Sequence, residues 1–245
     1  MKVEIGLTSI PLPCYFWDKY LPDALDSCFI QDNVEVIAVD DASPTNTWKI
    51  LNEYKSQHPD YRLTLIKHDK NLGENGARNT GIRASRGEFI AYMDCDDILT
   101  PNSIKLRREA FGSNIDIVCG YIRTFKHKKQ PSAKNPKHIQ KYPEMGLLIR
   151  RRVFQKYGLF YEKLTHRADH EWYARIGLWH DKPKYKTDKI TPVRVKSINI
   201  CACYWRLHPH RLHKRFKGDK KLKKLLYKRI AMLKTQGLVD VEFLK

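Results

Sequence analysis

Short apolar runs alternate with amphipathic stretches along the first half of the chain. The runs that are predicted to be strands are residues 3–9, 34–39, 63–67, 88–93 and 115–121. The stretches that are predicted to be helices are residues 17–30, 45–58, 75–85 and 102–111. Short apolar strands separated by helices are typical of a mostly parallel sheet covered on both faces. The pattern therefore predicts an α/β fold, whose ligands bind beyond the carboxyl ends of the strands.

The second half of the chain has a less regular pattern. Residues 126–141 contain two prolines and no apolar periodicity, so a loop is predicted there. Residues 145–154 and 164–179 are apolar enough to predict buried elements.

The end of the chain has its own pattern. From Lys220 onward, leucine and isoleucine side chains share one face of a predicted helix, and lysines cover the other face. This apolar face either docks on the core or meets a membrane or nucleic acid. We therefore predict one domain at residues 1–213, followed by a basic helical appendage at residues 214–245.

The composition of the chain excludes several classes of protein. At 245 residues, the chain is long enough to bury a large hydrophobic core, and its hydrophobic content of 42% excludes a disordered protein. No apolar run approaches the roughly 20 residues that span a bilayer. Residues 1–10 lack the apolar core of a secretion signal. A cytoplasmic protein without a transmembrane segment is therefore expected.

The charge of the chain is strongly positive and unevenly distributed. Lysine and arginine number 46 against 27 acidic residues, which gives a net charge of +19 and a pI near 9.7. Residues 123–141 contain seven basic residues and no acidic residue, and residues 206–229 contain eleven against Asp219 alone. Two runs of one sign indicate a polyanionic partner, such as nucleic acid, an anionic membrane or an acidic polymer.

The six cysteines show no regular framework, so reduced thiols are expected. An alternative is a zinc site, since Cys201 and Cys203 precede three histidines at positions 208, 210 and 213. The spacing of these residues matches no common zinc module.

An acidic cluster follows the predicted strand at residues 88–93. Asp94, Asp96 and Asp97 lie within four residues, and such carboxylates repel one another unless a cation or donors neutralise them. At the end of a buried strand, a hard divalent cation that also holds a diphosphate is the natural partner. The alternative is a helix cap before Pro101, but a cap needs one aspartate.

Five sequence motifs, taken in order, resemble family 2 of the glycosyltransferases. They are EIGLTSIPLPCYFWDKYLPDALDSCFIQD, VEVIAVDDASPTNT, GARNTGIRASRGEFIAYMDCDD, GLLIRRRVFQKYGLFYEKLTHRADHEWYARI and YWRLHPHRL. The second motif has Ala42 where the family has glycine. The resemblance implies the GT-A fold, a Rossmann-like and mostly parallel sheet flanked by helices. It also implies that residues 1–122 bind a nucleotide sugar, with a UDP-sugar first among the donors, and that residues 142–213 form the acceptor side.

The same resemblance implies roles for individual residues in donor binding. Thr8 and Asp41 would contact the nucleoside, with Asp40 nearby, and an Asx turn before Pro44 is the alternative for the aspartates. Arg78 would lie near the nucleotide and Asp94 near the ribose. The remaining implied assignments are Asp96 as a ligand of Mn²⁺ or Mg²⁺, and Arg206 and His208 as contacts of the diphosphate or the metal.

Asp169 matches the acidic residue that the family places beside the acceptor. As a general base, it would take the proton of the attacking hydroxyl. The family commonly has Glu-Asp here, whereas this chain has Ala168 followed by Asp169. Glu171 is the alternative base, and a helix cap is the alternative role of Asp169.

These inferences predict a metal-dependent, inverting glycosyltransferase. A retaining enzyme would not need a carboxylate base on the acceptor side. The acceptor is either a hydroxymethylated base of phage-type DNA, which the positive charge favours, or a surface polysaccharide or glycolipid at an anionic membrane. A non-catalytic polyanion-binding protein on a GT-A scaffold is the alternative from another class.

Overall fold

The computed structural model of the protein describes residues 2–126, 144–164, 168–178 and 193–207, together with residues 224, 228 and 232. Most of the predicted loop, the histidines of the alternative zinc site and nearly all of the predicted tail lie outside these residues. Among the described helices, none is both long and apolar enough to cross a membrane. All six cysteines are described, and no disulfide bond joins them.

The described elements confirm the α/β prediction. The strands are β1 Glu4–Cys14, β2 Val34–Asp40, β3 Leu63–Lys67, β4 Gly87–Ala91, β5 Ile98–Leu99, β6 Ile117–Lys126, β7 Leu147–Arg150 and β8 Val195–Leu207. The α-helices are α1 Leu21–Phe29, α2 Thr47–Gln57, α3 Glu74–Ala84, α4 Ser103–Glu109, α5 Arg151–Tyr157 and α6 Ala168–Arg175. The five predicted strands correspond to β1, β2, β3, β4 and β6, and the four predicted helices to α1 through α4.

The eight described strands form one sheet in the order β3-β2-β1-β4-β7-β6-β8-β5. The first four strands in this order are parallel. Strand β7 lies antiparallel between β4 and β6, and β5 pairs antiparallel with β8 at the edge of the sheet. The start of β7 therefore lies beside the end of β4, at the carboxyl edge of the sheet.

Strand β1 is longer than predicted because two prolines inside it do not interrupt it. Proline cannot donate a hydrogen bond to a neighbouring strand and is rare in central strands. The Thr8 amide donates to the carbonyl oxygen of Asn33, directly before β2, at 3.1 Å, so the backbone of odd-numbered residues, including Pro11 and Pro13, faces β4. Pairing with β4 ends at Ser9, whereas pairing with β2 continues to Cys14. The prolines therefore need no partner, and β1 reaches the carboxyl edge.

Hydrophobic clusters cover both faces of the sheet. On one face, the fully buried Trp172 of α6 stacks on Phe154 of α5 at a centroid distance of 5.0 Å. On the other face, α1 and α2 pack against β2, and α4 packs against β6, β7 and β8. Helix α3 lies close to β1, since a Cβ atom at Gly81 would lie 2.8 Å from the Cβ of Pro11. This close packing brings α3 to the carboxyl ends of the strands.

Candidate active site

The turn after β4 carries three carboxylates at the carboxyl edge of the sheet. Ligand atoms of Asp94, Asp96 and Asp97 all lie within 4.8 Å of one another. Asp94 and Asp96 are half-buried, and Asp97 is fully buried. Clustered carboxylate oxygens are the ligands that Mg²⁺ and Mn²⁺ prefer. The residues present therefore fit the predicted divalent cation.

The surroundings of Asp97 carry more negative than positive charge. Its Oδ1 atom accepts a hydrogen bond from the Arg206 amide at 2.7 Å. Its Oδ2 atom is buried and has no hydrogen-bond partner among the described residues. Burial, followed by the charges of Asp96 and Asp94, raises the pKa of Asp97 well above its usual value. A cation at the turn would offset this cost, because an opposite charge favours the ionised carboxylate.

Arg206 of β8 holds the backbone of the acidic turn. Its Nε atom donates to the carbonyl oxygen of Asp96 at 2.7 Å, and its Nη2 atom lies 3.1 Å from Asp23. The guanidinium also lies over the rings of Tyr20 and Phe125, 4.2 and 4.7 Å from their centroids. The side chain, predicted to reach a diphosphate, is thus buried within the protein and supports the turn.

Arg78 lies at the centre of a second group of carboxylates. Its guanidinium is 2.5 Å from Glu74, 2.9 Å from Asp94 and 3.1 Å from Glu144. Glu74 and Arg78 lie one turn apart on α3, whereas Glu144 belongs to the short 3-10 turn before β7. The structure therefore brings the predicted residues Arg78 and Asp94 together, and it adds two carboxylates that the sequence motifs did not indicate.

Glu144 lies in a negative environment despite its contact with Arg78. Burial raises the pKa of Glu144 to about 8; Arg78 opposes this rise, and Asp169, Glu74 and Asp94 add to it. Burial and nearby carboxylates, including Asp94 and Asp169, also raise the pKa of Glu74. The charge of Asp169 thus acts on both glutamates. Asp169 therefore shares one electrostatic site with Arg78 and the acidic turn.

Replacing Glu144 by Gln is expected to stabilise the protein at alkaline pH relative to acidic pH. The folded state retains a proton on Glu144 up to about pH 8, whereas the unfolded chain releases it near the usual value of 4.5. The stability of the unchanged protein therefore falls as pH rises between these values. At pH 9, we expect a gain on the order of a few kcal/mol, since the pKa rises from 4.5 to about 8 and one pKa unit corresponds to about 1.4 kcal/mol. Urea denaturation of the unchanged protein and of Glu144→Gln, at acidic and at alkaline pH, measures this gain in the free energy of unfolding.

Glu162 provides a control of opposite sign. A hydrogen bond from Asn79 lowers the pKa of Glu162 below its usual value, and Arg83 contributes to the same effect. The stabilisation from Glu162 is therefore present above the unfolded pKa and is lost as pH falls. Glu162→Gln should accordingly be most destabilising at neutral and alkaline pH. A Glu144→Gln protein that is less stable than the unchanged protein at pH 9 would contradict the pKa assignment.

Asp169, the predicted general base, is a partly exposed carboxylate at the start of α6. It belongs to the first turn of α6, which begins at Ala168, and its side chain is 27% exposed. Its Oδ2 atom is 3.6 Å from Nε2 of His170. A partly exposed carboxylate near the acidic turn is accessible to an incoming hydroxyl, as general-base catalysis requires.

Glu171, the alternative base, is fully buried and paired inside the protein. Its carboxylate oxygens lie 3.2 and 2.8 Å from the Arg175 guanidinium. Arg175 in turn donates to the carbonyl oxygens of Tyr157 and Leu159. Glu171 therefore ties α6 to the segment after α5, and this contact favours Asp169 as the base.

Asp40 and Asp41 lie at the end of β2, beside the end of β1. The Ser43 amide donates to Asp40 at 2.8 Å, which is the Asx turn that the sequence allowed. Burial raises the pKa of Asp40. Oδ1 of Asp41 lies 2.7 Å from His68 and accepts from the Leu72 amide at 2.8 Å. Both carboxylates are thus held at the edge where ligands bind in such sheets.

The structure does not bring Thr8 to this edge. Thr8 pairs with Val34 at the start of β2, whereas the end of β1 pairs Cys14 with Asp40. The resemblance implied a nucleoside contact at Thr8, and the predicted strand ended at Ser9; because β1 extends to Cys14, Thr8 lies away from this edge. Cys14 and the adjacent Tyr15 occupy the expected position instead. His208 lies outside the described residues.

Comparisons with known proteins agree with this fold. The sequence model of the family described as Glycosyl transferase family 2 matches residues 9–177. Chondroitin synthase of Escherichia coli is 34% identical over 120 residues, which cover 48% of this chain and 17% of that protein. The chain thus spans less than a fifth of the length of this relative.

Two solved structures share the GT-A fold, which confirms the predicted fold class. The structure of S. aureus TarS in complex with UDP-GlcNAc matches with a TM-score of 0.69 at 18% identity, covering 96% of this chain and 68% of that chain. Mannosyltransferase PcManGT from Pyrobaculum calidifontis, in complex with GDP-Man and Mn²⁺, matches with a TM-score of 0.67 at 17% identity. That match covers 96% of this chain and 65% of the mannosyltransferase.

Proposed function

Because the chain belongs to family 2 of the glycosyltransferases, we propose that it transfers a sugar from a nucleotide-sugar donor to an acceptor hydroxyl with inversion. One observation carries this proposal. An acidic turn that suits a divalent cation shares an electrostatic site with the partly exposed carboxylate of Asp169. The presence of both parts supports an enzyme over the alternative of a non-catalytic polyanion-binding protein.

Asp169 acts as the general base in this proposal. Its carboxylate takes the proton of the acceptor hydroxyl while that oxygen attacks the anomeric carbon, and the bond from that carbon to the diphosphate breaks. A single displacement of this kind inverts the configuration of the anomeric carbon.

Asp96 holds Mn²⁺ or Mg²⁺ in this proposal, and Asp94 contacts the ribose. The cation, when bound, screens the charge that develops on the departing nucleoside diphosphate. Arg206 positions Asp96 by holding its carbonyl oxygen, instead of contacting the diphosphate as the sequence suggested. Arg78 keeps Asp94 in place through their 2.9 Å contact. Asp40 and Asp41 contact the nucleoside.

The donor is a nucleoside diphosphate sugar, with a UDP-sugar as the first choice. The structures of TarS with UDP-GlcNAc and of PcManGT with GDP-Man support this class of donor. Residues 1–122 contain the described donor-side carboxylates and Arg78. We therefore keep the division into a donor half at residues 1–122 and an acceptor half at residues 142–213.

A saccharide is the proposed acceptor. The similarity to a chondroitin synthase supports a role in polysaccharide synthesis. The net charge of +19 supports a second candidate, a polyanion such as hydroxymethylated DNA, because lysine and arginine neutralise phosphates. Peripheral contact with an anionic membrane would use the same charge.

Release of nucleoside diphosphate tests the proposed function directly. The protein is incubated with Mn²⁺ and with UDP- or GDP-sugars, without acceptor, with oligosaccharides, and with duplex DNA that contains hydroxymethylated bases. Release is expected with one donor and should be accelerated by the oligosaccharide. Absence of release with every donor and acceptor would contradict a glycosyltransferase, and acceleration by DNA alone would replace the saccharide with DNA.

Salt dependence separates the two kinds of acceptor. If DNA is the acceptor, duplex affinity should fall log-linearly as salt rises, because bound cations are released from the phosphates. Reversing Lys220, Lys221, Lys223 and Lys224 to Glu should then flatten that slope and leave donor hydrolysis unchanged. If the tail contacts a membrane, the same variant should lose attachment to anionic vesicles. Absence of duplex binding at low salt would exclude the DNA acceptor.

A further inference from the structure

A histidine connects the donor-side carboxylate to helix α3. His68 follows β3, and its Nδ1 atom lies 2.7 Å from Oδ1 of Asp41. Its Nε2 atom lies 3.0 Å from Oγ1 of Thr80 in α3. The side chains of His68 and Asp41 are only 11% and 3% exposed. The imidazole is therefore held at both nitrogens between two different elements.

This arrangement determines which atoms are left for a ligand. An ionised carboxylate can only accept hydrogen bonds, so Nδ1 of His68 carries the hydrogen in the contact with Asp41. Oδ1 of Asp41 also accepts from the Leu72 amide at 2.8 Å, and that atom is saturated. Among the described residues, Oδ2 of Asp41 accepts no hydrogen bond. Oδ2 is therefore the acceptor that Asp41 offers to a ligand.

Thr80 links this carboxylate to the rest of the site. Thr80 lies on the same helix as Arg78, and Arg78 contacts Asp94 at 2.9 Å. The backbone supports the same arrangement, since the His68 amide donates to the Asp40 carbonyl oxygen at 2.9 Å. The end of β2, the segment after β3 and α3 are thus joined in one hydrogen-bonded unit. A shift of His68 would move Asp41 relative to Asp94.

We propose that His68, held by Thr80, is a positioning residue that orients Asp41 as the hydrogen-bond acceptor for an N–H or hydroxyl group of the donor nucleoside. This inference rests on the proposed function. Holding the carboxylate in one orientation before the donor arrives removes the entropic cost of ordering it during binding. The role is confined to donor binding, because His68 has no described contact with Asp169 or the acidic turn.

Two substitutions of His68 distinguish the two hydrogen bonds of the imidazole. In His68→Asn, the amide nitrogen can occupy the position of Nδ1 and retain the bond to Asp41. In His68→Gln, the longer amide can reach Thr80 in place of Nε2 but loses the bond to Asp41. We expect His68→Gln to weaken the binding of UDP or GDP in the presence of Mn²⁺ about tenfold, which corresponds to about 1.4 kcal/mol of binding free energy. His68→Asn should restore most of that affinity in calorimetric titrations.

Kinetics separate positioning from a general structural role. His68→Gln should raise KM for the donor and leave kcat at saturating donor within about twofold of the unchanged protein. Thr80→Val, which keeps the bond to Asp41 and frees the other end of the ring, should weaken donor binding less than His68→Gln. Thr80→Val also keeps the test decisive if His68→Gln does not fold, because normal donor affinity in this variant would overturn the role of the Thr80 contact.

The outcomes distinguish this inference from the proposed function. If the unchanged protein binds neither UDP nor GDP, the proposed function and the inference both fail. If it binds one of them and His68→Gln binds equally well, only the role of His68 is overturned. Equal losses in His68→Asn and His68→Gln would also overturn it, since the bond to Asp41 would then have no separate effect.

Discussion

Replacing Asp169 by Asn is expected to lower kcat by a factor of about 10²–10⁴ and to leave donor affinity nearly unchanged. Asparagine keeps the size of the side chain and part of its hydrogen bonding, but it cannot take the proton of the acceptor hydroxyl. The side chain is 27% exposed in the first turn of α6, so the substitution removes no buried packing. Steady-state transfer kinetics and a separate titration with the nucleoside diphosphate measure the two quantities.

Glu171→Gln is the matched control for this prediction. Glu171 is two residues away and fully buried, and it pairs with Arg175 at 2.8 Å. Loss of a buried charge from this pair leaves Arg175 partly unpaired, which destabilises the fold. We therefore expect a lower unfolding temperature and a retained kcat for the fraction that remains folded. Normal turnover in Asp169→Asn together with an inactive Glu171→Gln would transfer the role of base to Glu171.

The local parts of the site were predictable because their signals lie together along the chain. A buried strand followed directly by Asp94, Asp96 and Asp97 predicts a carboxylate cluster at the carboxyl edge of a sheet. The same reasoning placed Asp40 and Asp41 at the end of β2, where the structure has them. These predictions needed only strand periodicity and the positions of charged residues at strand ends.

Contacts between distant segments were not predictable from these patterns. Glu144 lies 66 residues from Arg78 along the chain, in a short turn before a strand of only four residues. Arg206 reaches the carbonyl oxygen of Asp96 across 110 residues. No periodicity encodes such pairings, because they depend on how β5 to β8 are placed in the sheet, including the antiparallel strands β5 and β7.

Thr8 illustrates a different limit of prediction from the sequence. The predicted strand ended at Ser9, whereas β1 continues through Pro11 and Pro13 to Cys14, although proline cannot donate a hydrogen bond to a neighbouring strand. The structure places both prolines on the side where pairing with β4 has already ended. The direction in which each residue of a strand faces depends on the register with its neighbours, and that register is a tertiary property.

Removing the divalent cation is expected to abolish transfer, and Asp96→Ala should lower kcat/KM by a factor of about 10² or more. Metal coordination contributes several kcal/mol of charge stabilisation in such reactions, and each 1.4 kcal/mol corresponds to about a tenfold change in rate. Asp96 is half-buried, and its carbonyl oxygen is held by Arg206 at 2.7 Å. Its backbone is thus held in place whichever side chain it carries, and the substitution should leave the fold intact.

Asp97→Asn is the control for Asp96→Ala. It tests whether Asp96 binds the metal while Asp97 supports the turn through the Arg206 amide. Asp97 is fully buried, and asparagine retains an acceptor for the Arg206 amide, which donates to Asp97 at 2.7 Å. We therefore expect this variant to bind the nucleoside diphosphate with a preserved dependence on Mn²⁺. Asp96→Ala should lose only the metal-dependent part of that affinity, measured by titration with and without EDTA. Full transfer activity of the unchanged protein in excess EDTA would contradict the assignment of Asp96, because the contribution lost in Asp96→Ala would then not depend on metal.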